Sequence, residues 1–326
     1  MRTPFRVWLV IAAMLAFALP AQAQAQDYPN KVITLVVPVP PGGAANFIAR
    51  TLGQKLQDVL GQPVVISNRG GASGTIASDN VAKAQPDGYT ILLNSITTHG
   101  IGPHLYTSLP YDSVKDFAPI MLVAKLPLVM TIHSERPTKS VPEVIAFSKA
   151  NPGKLSFASS GNGGAPHLAG ELFKIVTGTE MLHVPYRGSG PAVVDVAAGR
   201  IDIMFDAIPS LLPMIQADKL RPLAAASSER NPILPNTPTF DELGLKGMEV
   251  SLWYGIVGPA ALPQPIVQKL NAELTKILAM PDVQQAFAKQ GALPGGGSPQ
   301  DYAAFMRDES ARWGEVVRKN NIKLEQ

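Results

Sequence analysis

Three stretches of this chain put glycines where a strand would hand over to a helix. They are Pro41-Gly42-Gly43-Ala44-Ala45-Asn46, Gly70-Gly71-Ala72-Ser73-Gly74 and Ser159-Ser160-Gly161-Asn162-Gly163-Gly164. A helix begins with backbone N–H groups that have no partner inside it, and its dipole places partial positive charge at the same end. Such an end binds anions. A fourth loop, Tyr186-Arg187-Gly188-Ser189-Gly190-Pro191, adds a guanidinium. Any one of these loops is explained equally well as a tight turn. Several of them, spread over both halves of the chain, favour anion capture.

Catalytic constellations are thin. Ser73, in Gly71-Ala72-Ser73-Gly74-Thr75, lacks the final glycine of a nucleophile elbow, and Ser189 lacks the required spacing on both sides. The Gly161 loop places Pro166 where a dinucleotide fingerprint needs its last glycine, and no Walker lysine follows any loop. The five histidines, His99, His104, His133, His167 and His183, include no pair at i,i+4 spacing. Neither metal, nucleotide cofactor nor enzymatic activity is expected. His99, just after a predicted strand, and His167, in the first turn of a predicted helix, fall near the glycine loops, where contact with a ligand and a local polar role are equally consistent with the pattern.

These loops need elements to hold them, and the hydrophobic pattern supplies those elements. Val32 to Val37 is a continuous β-branched run of the kind buried on both faces of a sheet. After the first loop, Ile48, Leu52, Leu56 and Val59/Leu60 form one helical stripe, stopped by Gly61. Pro63 to Ile66, the second loop and a helix over 75–84 repeat the unit, and Tyr89 to Leu93 is a third strand. The nearly apolar segment from Ala118 to Ile132 is long enough to leave one sheet and enter another. Beyond it the grammar recurs: helix 141–150, strand 154–159, helix 165–177 closed by Gly178, strand 183–186, helix 191–198 and strand 201–205. A proline-rich link, 231–238, precedes a return strand over 250–257. Helices built on Ile266, Leu270, Leu274 and Ile277/Leu278, over 283–289, and over 300–320 end the chain.

Alternating βαβ units predict mainly parallel sheets flanked by helices, and some 300 residues exceed one hydrophobic core. The predicted architecture is two α/β lobes: residues 27–123 with 249–326, and residues 124–248. Two connections between lobes act as a hinge around a cleft. In parallel α/β sheets the loops at the carboxyl edge face the ligand, so loops of both lobes should meet there.

Residues 1–26 pattern as a secretory signal peptide, with Arg2 and Arg6 before an apolar run from Val7 to Leu19 and small-x-small sites at Ala21–Ala23 and Ala23–Ala25. Without Arg2 and Arg6 the 28 Lys and Arg fall to 26 against 25 Asp and Glu, a near-neutral balance with no basic cluster for nucleic acid. The absence of cysteine excludes disulfides, thiol catalysis and a lipid-modified cysteine. A periplasmic monomer is expected.

Several motifs carry a more specific likeness. Tyr28-Pro29-Asn30-Lys31 leads into Val36-Val37-Pro38-Val39-Pro40-Pro41-Gly42-Gly43. Asn68 to Gly74, Pro86-Asp87-Gly88-Tyr89-Thr90 and Leu109-Pro110-Tyr111-Asp112 follow. Then come Gly161-Asn162-Gly163 with His167, His183-Val184-Pro185-Tyr186-Arg187-Gly188, and Gly199-Arg200-Ile201-Asp202 with Phe205-Asp206. In these the chain resembles the Bug-type substrate-binding proteins of tripartite tricarboxylate transport systems. The resemblance implies a type II periplasmic binding-protein fold that closes like a flytrap on ligand carboxylates, delivering the loaded form to a membrane permease or, alternatively, to a sensor kinase. It further implies that the Pro41–Asn46 and Ser159–Gly164 loops are the jaws, and that Asn94, Ser95, Thr97, His99, Tyr186, Arg187, Gly188, Ser189 and Asp206 line the sides. Many members carry Asp where this chain has Asn46. A neutral amide receives a ligand ammonium poorly, so the departure favours an amine-free di- or tricarboxylate or aromatic acid over an amino acid.

Overall fold

The computed structural model describes residues 28–320 and 322; the signal-peptide expectation for residues 1–26 lies outside them. β1 (Ile33–Val37) is buried along almost its whole length. It is central because it pairs in parallel with β2 (Val64–Asn68) on one side and β3 (Thr90–Ser95) on the other. The chain between β1 and β2 is α1 (Gly43–Leu60), which buries Ile48, Leu52 and Leu56 as the spacing predicts and ends at Gly61 in a left-handed conformation. α2 (Thr75–Ala82) links β2 to β3. A wide, π-type turn over Ile96–Ile101 follows and runs into the short α3 (Gly102–Leu105).

β4 (Phe117–His133) changes partners part way along. From Phe117 to Pro127 it pairs antiparallel with β9 (Ser251–Pro259), and from Leu128 to Ile132 with β7 (Ile203–Ala207). In the second sheet β5 (Leu155–Ser159) lies parallel to both β6 (Met181–Pro185) and β7. α4 (Val141–Ala150) is capped by Ser140 and leads to β5; α5 (Ala165–Thr177) joins β5 to β6, and α6 (Ser189–Ala197) joins β6 to β7. The sheets are therefore parallel where βαβ units build them and antiparallel where the crossing strands join. The crossing point is stitched by the backbone: Leu128 donates to Val250 O at 3.0 Å, Val250 to Ala226 O at 3.0 Å, and Ala226 to Leu128 O at 2.8 Å.

Two elements carried no usable sequence pattern, α7 (Ile208–Gln216) and β8 (Leu220–Ala225). Pro209 and Pro213 obscure the helix, yet Pro209 falls in its first turn, where no intrahelical donor is lost. β8 contains Pro222 and runs along β4 with a register irregularity, as an edge strand tolerates. The chain ends with α8 (Gln264–Leu278), α9 (Pro281–Ala288), β10 (Leu293–Gly296) against β4, and α10 (Pro299–Lys319), which opens on a Ser298–Asp301 capping box. Among the described residues no helix is long and apolar enough to cross a membrane.

Candidate functional site

The glycine loops of both sheets line one cavity of about 1240 Å³. From the first sheet come Pro41, Gly42, Gly43, Ala44 and Ala45, the Gly70–Gly74 loop, Ser95 at the end of β3 and Thr97 just beyond it. Ser160, Gly161, Asn162 and Gly164, the loop Tyr186, Arg187, Gly188 and Ser189, and Asp206 come from the second. Leu252 and Tyr254, on the strand that returns between the sheets, complete the wall.

Three helices start on this cavity: α1 at Gly43, α5 at Ala165 and α6 at Ser189. None has a side-chain cap, and the residues before them are Gly42, Gly164 and Gly188. Gly42 and Gly188, with φ of 110° and 108°, hold a backbone that only glycine adopts without strain. The leading amides of these helices thus lack both intrahelical and side-chain acceptors at the edge of the cavity, which makes a positive cradle without a cluster of cationic side chains. The helix starts also approach one another closely. A Cβ added to Gly43 would stand 3.4 Å from Ser210 Oγ and 3.8 Å from Ser189 Cβ.

The cleft also holds one buried acid. Asp206, at the end of β7, is 1% exposed and accepts from the Ala207 amide at 2.7 Å through Oδ1. Burial pushes its carboxyl up to about 6, against the pull of Ser189, Ala207 and Ser210. Opposite the Gly161 loop, the Ser73 hydroxyl donates to Asn162 O at 2.7 Å, a hydrogen bond that spans the cleft from the β2–α2 loop. Ala72 and Ser73 hold positive φ of 45° and 51°, and this turn carries the Ser73 hydroxyl to its partner.

Six residues expected to meet a ligand lie behind the wall instead. Asn46 is buried, with Nδ2 donating to Pro40 O at 2.9 Å and Gly42 O at 3.1 Å, and Oδ1 accepting from Asn68 Nδ2 at 3.0 Å. It braces the jaw, both ends of its amide are occupied, and the inference against amino acids drawn from it loses its basis. Asn94 accepts from the Tyr302 hydroxyl at 2.7 Å and donates to Met306 Sδ at 3.3 Å, deep under β3. His99 is turned into the core by the π-type turn, bonded to Thr98 Oγ1 at 2.9 Å and packed edge-on against Phe117, and burial lowers its pKa to about 3.

Ser159, Gly163 and His167 support the second jaw from beneath. His167 Nδ1 accepts from the Gly163 amide at 3.1 Å, and its ring stacks on His183 with centroids 3.9 Å apart. His183 Nε2 meets Ser159 Oγ at 2.7 Å, and Ser159 reaches Gly161 O at 3.1 Å. With the proton on His183 Nε2, the two bonds form a directed chain that fixes the loop. Burial, then the neighbouring His167 and Lys174, lowers the His183 pKa to about 3.

Tyr186 lines the cleft with its ring, but its hydroxyl donates to Asp195 Oδ2 at 2.7 Å, and that carboxylate also pairs with Arg200. Arg187 is exposed. Ser210 and Tyr254 escaped sequence reasoning because no pattern announced α7 and because Tyr254 lies within an apolar run. Among the described residues no cluster of three or more His, Asp or Glu could hold a metal. As Asn94 serves the core, Asn94→Ala should lower stability by about 1–3 kcal/mol in urea unfolding, by orphaning the Tyr302 hydroxyl, and leave ligand affinity unchanged.

Comparison with known proteins places this geometry. Residues 48–322 match the family model described as the tripartite tricarboxylate transporter family receptor. The BugT protein of Bordetella pertussis is 39% identical over 321 residues, 98% of each chain. Among solved structures, Rpa4515 of R. palustris with adipate superposes with a TM-score of 0.88 at 36% identity, covering 91% of this chain and 99% of that one. MatC from Rhodopseudomonas palustris with bound malate gives a TM-score of 0.84 at 33% identity, covering 89% and 100%.

Proposed function

The chain belongs to the tripartite tricarboxylate transporter receptor family, a family of solute-binding proteins and not of enzymes, and from that premise we propose that it captures a small organic carboxylate between its lobes and delivers it to a membrane permease of that transporter type. The observation that carries the reading is the convergence of uncapped helix starts at Gly43, Ala165 and Ser189 on one cavity. Amides so arranged bind a carboxylate without the desolvation penalty of a buried cation. The adipate and malate held by two relatives support the same ligand class.

In this reading the protein works in the periplasm as a monomer, with lobes over residues 27–123 with 249–326 and over 124–248. The backbone stitch at Leu128, Ala226 and Val250 is the hinge, and the Ser73–Asn162 hydrogen bond stabilises the closed form. Thermal unfolding with a panel of mono-, di- and tricarboxylates tests it. An acid present at a hundredfold over its Kd should stabilise the protein by about 2.7 kcal/mol, a rise of several degrees. If the corresponding neutral amides stabilise as well as the acids, the cleft is not a carboxylate site.

A further inference from the structure

Asp206 is an anomaly in a cleft built for anions. Its Oδ2 is buried and makes no hydrogen bond of good geometry among the described residues, and the same holds for Ser210 Oγ in the first turn of α7. Ser189 and Ser210 nevertheless lie near enough to ease the carboxylate charge. Both residues line the cavity. A buried acceptor without a donor costs free energy unless a ligand supplies one. The carboxylate sits where α7 begins, beside Ser189 at the start of α6 and across from Gly43 at the start of α1. A side-chain anion therefore already occupies one of the positive places that these helices create, and a ligand carboxylate is excluded from it by like charge.

The group that fits is decided by counting donors and acceptors. A ligand hydroxyl donates its proton to Asp206 Oδ2 and accepts one from Ser210 Oγ, satisfying both orphaned atoms at once. A methylene satisfies neither. An ammonium can donate to both atoms, but it leaves the Ser210 proton and its own third N–H without an acceptor and sets its charge against the helix starts. We propose that Asp206 and Ser210 form a subsite that selects hydroxyl-bearing carboxylates, the ligand carboxylates being held by the amides at the other glycine loops. This rests on the carboxylate-receptor reading and narrows it. The raised pKa of Asp206 reflects a desolvation that outweighs its neighbours Ser189, Ala207 and Ser210, and Tyr254, on the same cavity, is itself pushed up by burial and then by the Asp206 charge.

Calorimetric titration at pH 7.5 with two matched pairs, L-malate against succinate and citrate against tricarballylate, together with L-aspartate, tests the proposal. The hydroxyl member of at least one pair should bind about tenfold or more tighter than its deoxy partner, and malate tighter than aspartate. Asp206→Asn should reduce that preference below about threefold while leaving the affinity for the deoxy acid unchanged or improved. Ser210→Ala, which keeps the carboxylate and lies on a partly exposed helix face, should weaken the hydroxyl acid several-fold and spare the deoxy acid. Deoxy acids binding as well as their partners, aspartate binding better than malate, or a preference that survives both substitutions would overturn it. Binding of adipate but of neither pair overturns it as well, whereas failure of every carboxylate would overturn the receptor reading itself.

Discussion

Replacing Gly255 by alanine should cost about 3 kcal/mol of stability or more, and valine should prevent folding. Gly255 is in β9, the strand between β3 and β4, where it pairs with Asn94 on one side and Leu122 on the other. A Cβ there would lie 2.0 Å from the Tyr302 hydroxyl oxygen and 2.1 Å from Cζ of its ring. Neither side can yield. β9 is held by two hydrogen-bonded neighbours, and Tyr302 is buried on α10 with its hydroxyl committed to Asn94 Oδ1. Urea unfolding reads the loss, and Tyr302→Leu in the alanine background should recover part of it, because the two sites share one space. Destabilisation under about 0.5 kcal/mol, or no recovery in the double variant, would show that α10 does not pack on β9 in this way.

That contact also marks where sequence reading reached its limit. The strands and helices of each βαβ unit were legible because each carries its own periodicity: the Ile48–Leu52–Leu56 stripe is buried, and Gly61 ends α1 as a left-handed cap. The switch of β4 between sheets showed only as an apolar run too long for one strand. α7 and β8 were not legible, because proline is read as a breaker by any local rule, whereas a first-turn proline and an edge-strand proline are both tolerated. Strand ends slipped by up to two residues, as at β7, expected over 201–205 and found at Ile203–Ala207. That slip matters, since it places Asp206 inside the sheet edge rather than in the loop after it.

The site was legible as backbone and much less so as side chains. Glycine loops announce free amides, and the loops at Gly42, Gly161 and Gly188 do reach one cavity. Which neighbouring polar residue faces the ligand depends on a rotation of one or two residues, and local sequence does not carry it. Asn46, one turn into α1, folds back on Pro40 and Gly42. His99 is swung inward by a π-type turn whose residues Ile96 to Ile101 look like any helical start. His167 and His183 are sixteen residues apart and belong to separate motifs, with no spacing that pairs them, yet they stack beneath the jaw because β6 and α5 pack on the same strand. Ser210 becomes visible only once α7 is placed.

The buried histidines make acid stability the other large expected effect. His99 and His183 are neutral in the folded protein down to about pH 3 but titrate near 6.5 when unfolded. Their folded pKa values are depressed, so the unfolded chain binds more protons below pH 6.5, and stability present above that pH is lost as pH falls toward 3. A fully buried histidine such as His99 removes about 1.4 kcal/mol per pH unit in that window. Asp206 acts in the opposite sense. Its carboxyl is raised to about 6 in the fold, so between pH 6 and 4 the native state binds the extra proton and gains stability on acidification. These two histidines, with His104 lowered in the same sense by burial, against one carboxyl leave a net uptake of about one proton or more on unfolding, so about 3 kcal/mol or more should be lost between pH 6 and pH 4. Urea unfolding at pH 7.5, 6, 5 and 4 measures it. His99→Gln should flatten the slope and Asp206→Asn should steepen it, two responses of opposite sign that a general acid sensitivity of surface carboxylates would not produce. Stability that is level from pH 7.5 to 4, or a slope that neither variant changes, would mean these rings and this carboxyl are not held in their neutral forms by burial.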